Sequence, residues 1–335
     1  MQPRSARITA RMSQNNTNIL YAGLDVAKAT LQLSLRGTSH ALNNDAQGHA
    51  RIIKLLHTAE RESGAKVHVV LEATGGYESG LAGALHKENI ALSIMLPSRV
   101  RAFARAKGVL AKSDPIDADM LTAFGNAIAP AATPAPTVAQ TALGALTTRR
   151  AQLVADRIAE DNRAAHYQHK LLLRQHRAHL ALLKKQIEQC EEAIAEQISA
   201  EPEMNARAER LQQVPGIGPI SAAVLIADMP ELGRLHANEA AALVGLAPYN
   251  SDSGGQNGPR RIRGGRVVVR CALYMPAMNA IRYDAVLKEF YQRLCARGKK
   301  PIVALTAVMR KLIVLLNHML KRPEFKLRAV VASKE

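Results

Sequence analysis

Residues 19–44, ILYAGLDVAKATLQLSLRGTSHALNN, decide the fold. The apolar run ILYAGLDV leads into ATLQLSL, where apolar and polar residues alternate, and then into the short SHALNN. The three segments read as successive antiparallel strands. Outward from them, the pattern predicts a helix around residues 51–62, a buried strand at KVHVVLEAT, a helix from about Ser79, a strand at IALSIML and a helix through residues 101–107. Hairpin strands followed by β-α-β alternation predict a mixed sheet with helices on both faces and right-handed crossovers.

That order, spanning residues 19–128, is compatible with a ribonuclease H-like fold. Residues 129–137, APAATPAPT, cannot continue a helix and are expected to form an extended, semi-rigid linker at a domain boundary. From 138 to 201 glycine and proline are almost absent, apart from Gly144, and Ala, Leu, Gln, Arg and Glu dominate, as in long helices. Leu173, Leu180, Ile187 and Ile194 recur every seventh residue, with His176, Leu183, Cys190 and Gln197 three positions after each, the pattern of a coiled-coil seam within a helical hairpin or a dimer. His166, His169, His176 and His179 share this stretch and read as a wet helix face. Residues 202–327 are helical in pattern but broken by VPGIGPISAAVL and SDSGGQNGPRRIRGG, and form a further domain. Residues 1–18 and 328–335 read as tails. The expected class is α/β plus all-α.

Composition bounds the partners. The 335 residues carry 45 Lys and Arg against 28 Asp and Glu, a formal charge of +17, so the surface field favours a polyanion. Nucleic acid is the leading partner. The sequence shows no run of about 18 apolar residues, which argues against a membrane. Cys190, Cys271 and Cys295 lie too far apart for a disulfide framework, and a reducing cytosol fits them. With four Phe, seven Tyr and no Trp, binding driven mainly by base stacking is disfavoured.

Asp25 ends the first strand and Glu72 ends KVHVVLE, so in neighbouring strands both carboxylates reach one sheet edge. Asp114 and Asp117 are three apart beside Pro115, at a helix start, and point to one side. Four converging carboxylates repel unless cations lie between them, the physical case for Mg²⁺ or Mn²⁺. Two ions about 3.5–4 Å apart would stabilise the attacking and leaving oxygens of phosphoryl transfer. The plainer reading makes Asp114 an N-cap, Asp117 a partner of the helix dipole, and Asp25 and Glu72 strand ends facing water. Ser253, in SDSGG, offers a hydroxyl where glycines remove bulk, with Ser251 as a competitor, and both also suit an ordinary turn. Arg260, Arg261, Arg263, Arg266 and Arg270 follow and can hold a phosphate. Gly216 and Gly218, in VPGIGPI, have the spacing of a helix-hairpin-helix turn whose amides approach a phosphate, or of a turn whose glycines only permit close packing. Arg99, Arg101, Arg105, Lys107 and Lys112 form a basic run leading into Asp114.

Taken jointly, YAGLDVAK, VLEATGGYE, KSDPIDADML, VPGIGPISAAVL, GLAPYNSDSGG and CALYMPAM resemble the insertion sequence one-ten family of transposases and their relatives, the Piv-type DNA invertases. The resemblance runs from about Ile19 to Leu327. It implies a RuvC-like DEDD domain, a coiled-coil connector and a C-terminal transposase domain. By motif, the DEDD acids fall on Asp25, Glu72, Asp114 and Asp117, and the nucleophilic serine on Ser253, preceded by Asp252 and followed by Gly254. The resemblance further implies a phosphoserine-DNA intermediate, metal-assisted chemistry, donor and target DNA, a bridge RNA, and a homodimer assembling to a homotetramer with active sites composed across protomers. A RuvC-like nuclease using metal-activated water would need the acids but not Ser253, and a DNA-binding architectural protein would need neither.

Overall fold

The computed structural model describes residues 19–109, 113–248 and 261–326. The chain divides into two compact units, Met1–Ala135 and Pro136–Glu335.

The first unit is built on β1 (Ile19–Val26), β2 (Thr30–Leu35), β3 (Thr38–Asn43), β4 (Lys66–Glu72) and β5 (Ala91–Met95), in the sheet order β3-β2-β1-β4-β5. The first three strands pair antiparallel, and β4 and β5 add parallel to β1. The helices are α1 (Ala46–Ser63), α2 (Ser79–Lys87), α3 (Pro97–Ala106) and α4 (Asp114–Ile128). Alternation sorts each strand by face. Leu24, Leu33 and Leu71 face Ile52, Leu56, Leu81 and Leu85 of α1 and α2. Tyr21, Val70 and Met95 face Val100, Met120, Leu121 and Phe124 of α3 and α4. The result is the expected mixed sheet with helices on both faces, compatible with a RuvC-like DEDD domain. Helix starts differ from the sequence expectation. α1 begins at Ala46 because the Asp45 carboxylate caps it, accepting from the Gly48 amide, and α3 begins at Pro97. The N-cap of α4 is Ser113, which leaves Asp114 inside the first turn rather than at the cap.

In the expected linker, residues 129–137, Ala129 is the left-handed C-cap of α4 and residues 130–133 are pinned to the sheet edge. The Thr133 amide donates to Leu92 O at 2.7 Å, Thr133 Oγ1 accepts from the Ile94 amide at 3.0 Å, and Ser93 Oγ donates to Ala131 O at 2.8 Å. This strap satisfies the outer edge of β5, which would otherwise present unpaired backbone groups.

The second unit is helical among its described residues. α5 (Val138–Ala164) and α6 (Lys170–Ser199) pack as a hairpin, with Leu153, Leu183 and Ile187 buried between them. Of the sevenfold pattern on α6, Ile187 lies in this hairpin contact and Ile194 in the larger core, while Leu173 and Leu180 are only half-buried. α7 (Pro202–Gln212), α8 (Pro219–Asp228), α9 (Ala237–Leu243), α10 (Val267–Ala272), α11 (Tyr274–Tyr283), α12 (Ala285–Ala296) and α13 (Pro301–Lys321) surround a large core to which Leu143, Ile194 and Ile198 of the hairpin also belong. Among the described residues α13 alone is long and apolar enough to cross a membrane. Arg310 and Lys311 interrupt its apolar run, and Leu305, Val308, Leu312, Ile313 and Leu316 lie in the core.

Candidate functional site

The parallel register of β1 and β4 pairs Leu24 with Leu71, so Asp25 and Glu72, the next residue on each strand, stand side by side at one sheet edge. Both are half-buried and lie on the face covered by α4, opposite the Leu24 and Leu71 side chains. Helix α4 crosses that face at close range. Gly125 lies against the Tyr21 ring, and a methyl group at Gly23 would collide with Ala118 O and the Thr122 amide. The Gly23 amide donates to Thr122 Oγ1 at 2.7 Å. One helical turn toward the start of α4 therefore matches about two residues toward the end of β1, which directs Asp114 and Asp117 to the level of Asp25. Asp114 is exposed and Asp117 half-buried. The sheet thus brings Asp25 and Glu72 together, and α4 brings Asp114 and Asp117 together. Among the described residues, no three His, Cys, Asp or Glu side chains gather closely enough to hold a metal ion, so the two pairs do not form one closed ligand set. Their chemistry, carboxylate oxygens alone, is the kind that hard divalent cations take.

Two side chains that the sequence reading passed over organise the loops at this edge. Asn44 Nδ2 donates to Ala27 O at 2.9 Å and Tyr77 O at 3.2 Å, tying the loop after Asp25 to the loop after Glu72. His49 Nε2 meets Asn44 Oδ1 at 2.8 Å, and burial, partly opposed by Asp45, lowers the His49 pKa. The Glu78 carboxylate accepts from the Thr74 amide, the Thr74 hydroxyl and the Gly76 amide, folding the TGGY turn around itself. Burial works to raise the Glu78 pKa, but its own amide, Thr74 and Gly76 hold it below the ordinary 4.5 on balance. The sequence signal was Glu four residues after Thr74 across two glycines, and it was available.

The basic candidates divide. Arg99, Arg101, Arg105 and Lys107 are exposed along α3 and its end, with Arg99 over the Phe124 ring and Lys107 over Phe103. Arg261 and Arg263 are exposed. Arg266 is held by the protein itself, with both guanidinium nitrogens on Glu231 at 2.7 Å and a further bond to Asp228 O. Burial works to raise the Glu231 pKa, but Arg266 lowers it on balance, while burial raises that of Asp228. Arg270 donates to Val244 O and Gly264 O. These two arginines clasp the chain where Gly245 and Gly265, both at positive φ, meet backbone to backbone. Between α7 and α8, Gly216 packs against Pro276 O, and Gly218 is the open N-cap of α8. Lys112, Ser251, Asp252, Ser253 and Arg260 lie outside the described residues.

Two family patterns match the chain. One, described as a transposase and of the DEDD type of IS110, covers residues 22–172, and the other, described as the transposase IS116/IS110/IS902 family, covers residues 208–292. The chain belongs to the IS110 family of transposases. Known relatives agree. The pilin gene-inverting proteins of Moraxella lacunata and Moraxella bovis are 27% and 28% identical over 308 residues, which is 88% of this chain and 94% of each relative. The uncharacterised 43.6 kDa protein of insertion element IS110 from Streptomyces coelicolor is 31% identical over 135 residues, 40% of this chain and 33% of that protein. As an IS110-family transposase related to the gene-inverting proteins, the chain is a DNA-processing enzyme of recombination.

Proposed function

We propose that this transposase cleaves and rejoins DNA through a covalent link to Ser253, with Asp25, Glu72, Asp114 and Asp117 holding Mg²⁺ or Mn²⁺. One observation carries the reading: the register that sets Asp25 beside Glu72 on the face crossed by α4, in a chain whose other unit matches the transposase family. The Ser253 oxygen attacks a DNA phosphorus, and a phosphorus–oxygen bond to the neighbouring sugar breaks. The serine proton passes to a base and the departing sugar oxygen takes up a proton. Attack by an incoming sugar hydroxyl reverses the sequence and frees the serine, so the energy of the phosphodiester is kept in the ester and no nucleotide is consumed. A bound divalent cation would supply charge stabilisation for the oxygens in flight. Asp114 and Asp117, in the first turn of α4, would hold the cation with Asp25 and Glu72, and Asn44 and Glu78 keep the strand-end loops in place. The Arg266 and Arg270 clasp holds together the two flanks from which the serine segment departs, and Arg260, Arg261 and Arg263 meet the phosphate.

Donor and target DNA are the substrates, a bridge RNA is the guide, and a homodimer pairing into a homotetramer supplies a site for each strand. The three free cysteines suit the reducing bacterial cytoplasm, with the protein on the nucleoid while active. A second reading, inversion of a segment rather than transposition, is favoured by the near full-length similarity to the gene-inverting proteins. Trapping the protein on a nicked donor duplex tests the chemistry. A denaturation-resistant adduct should form with native protein and vanish in Ser253→Ala. Full strand exchange by Ser253→Ala, with free cleaved ends, would replace the serine reading by a metal-activated water nuclease. Asp25→Asn should lose exchange at any Mg²⁺ concentration, and sequencing of copurifying RNA tests the guide.

A further inference from the structure

The turn of the α5–α6 hairpin and the first half of α6 concentrate positive charge. Between Asp161 and Glu188 the chain carries Arg163, Lys170, Arg174, Arg177, Lys184 and Lys185 and no Asp or Glu. The acids of α6, Glu188, Glu191, Glu192 and Glu196, all fall in its second half. This order runs against the helix dipole, whose amino end favours anions and carboxyl end favours cations. α6 has no acid in its first turn and no base in its last. Helix stability therefore does not account for the segregation.

Lys170, Arg174 and Arg177 share one face of α6 and, with Leu173, line an open cleft of about 240 Å³. All three are exposed, and among the described residues none has an ion-pair partner. The nearby Glu160 carboxylate is taken by His176 at 3.0 Å, His179 at 3.7 Å and Arg163 at 3.1 Å. Along the axis the three cations span about 10 Å, a reach that covers several phosphates of a duplex carrying a charge every ~1.7 Å. Tyr167, the one Phe, Tyr or Trp between Asp161 and Glu188, is half-buried edge-on to His176, so this face offers cations rather than a large exposed aromatic platform.

We propose that this face of α6 docks the phosphate backbone of duplex DNA, whatever its sequence. The inference does not depend on the serine or the metal assignment, because it is read in binding rather than in strand exchange.

The test uses the full chain and a labelled duplex DNA of arbitrary sequence, titrated over a range of salt by fluorescence anisotropy. K170A/R174A/R177A should bind at least roughly tenfold more weakly at moderate salt, and the slope of log affinity against log salt should fall by about 2–3, near 0.9 per lost contact. R174K/R177K, which keeps the charge, should bind as the native chain does. K170Q/R174Q/R177Q should repeat the loss with unchanged helical circular dichroism, separating lost contacts from lost folding. R51A/K54A/K87A removes three exposed cations from α1 and α2 and should cost much less. An unchanged slope in the alanine triple variant, or an equal loss in this control, would overturn the proposal. So would a loss confined to an RNA duplex of the same sequence.

Discussion

Gly23 shows how one residue sets the distance between helix and sheet at the acid edge. Because a methyl there meets Ala118 O and the Thr122 amide, Gly23→Ala has to push α4 off β1. We expect a loss of about 1–3 kcal/mol in denaturant unfolding, the usual range for overpacking. The Arg266–Glu231 pair yields a pH prediction. Burial alone would raise the Glu231 pKa, yet Arg266 leaves it depressed in the folded state, so the pair's contribution is complete above the ordinary 4.5 and fades as pH falls through the lower folded value. Both partners are about a third exposed, which limits the pair to about 1 kcal/mol. In Glu231→Gln the thermal midpoint should drop at neutral pH, and its decline below pH 4.5 should flatten. A native-like acid slope in that variant would assign the acid loss elsewhere. Arg266 is also where the sequence was opaque. In a glycine-rich basic run it reads as a phosphate ligand, because its partner lies 35 residues upstream. Asp25 and Glu72 were legible for the opposite reason, as strand ends whose adjacency follows once two apolar runs pair.

At the scale of elements, alternation and apolar runs announced the five strands, and the shift from hairpins to β-α-β gave a mixed sheet. Helix starts were less legible. Asp45 caps α1 through Gly48, and Gln47 and Gly48 ahead of the apolar face obscured that turn. The strap over β5 was hidden too, since proline-rich sequence signals extension but not what the chain lies against. Thr133 is its key residue. Thr133→Val removes the acceptor of the Ile94 amide and should cost about 1 kcal/mol. Faster hydrogen exchange at Ile94 would accompany that loss, whereas unchanged exchange would mean the strap adds nothing to the edge. In the hairpin, the four histidines read as a wet face, which His166 and His169 are, because the carboxylate that His176 and His179 meet lies on the other helix. Glu160 is buried against His176, whose hydrogen bond is the main reason its pKa is lowered, with His179 and Arg163 assisting. Glu160→Ala should leave His176 buried without its partner and speed amide exchange over residues 156–180, while α13 exchanges as before. Equal acceleration in α13 would instead indicate global unfolding.

At the scale of the whole molecule, the proposed chemistry draws its acids from the unit Met1–Ala135 and its serine from the unit Pro136–Glu335. A site assembled from two units can take both from one chain or each from a different protomer, and the two arrangements differ in a way that mixing experiments resolve. Asp25→Asn removes a ligand but keeps the serine, and Ser253→Ala removes the nucleophile but keeps the acids, so each homo-oligomer should be inactive. In a coexpressed mixture, about half the dimers formed at random contain one chain of each kind. If sites form within a chain, every site in a mixed dimer still carries one lesion. If they form across protomers, one site pairs the acids of the Ser253→Ala chain with the serine of the Asp25→Asn chain and is intact, while the other carries both lesions. We expect the composite outcome: measurable phosphoserine adduct in the mixture, attached only to the Asp25→Asn chain, which a size tag on one variant would identify. No adduct in a mixture shown to contain mixed dimers would confine acids and serine to the same chain.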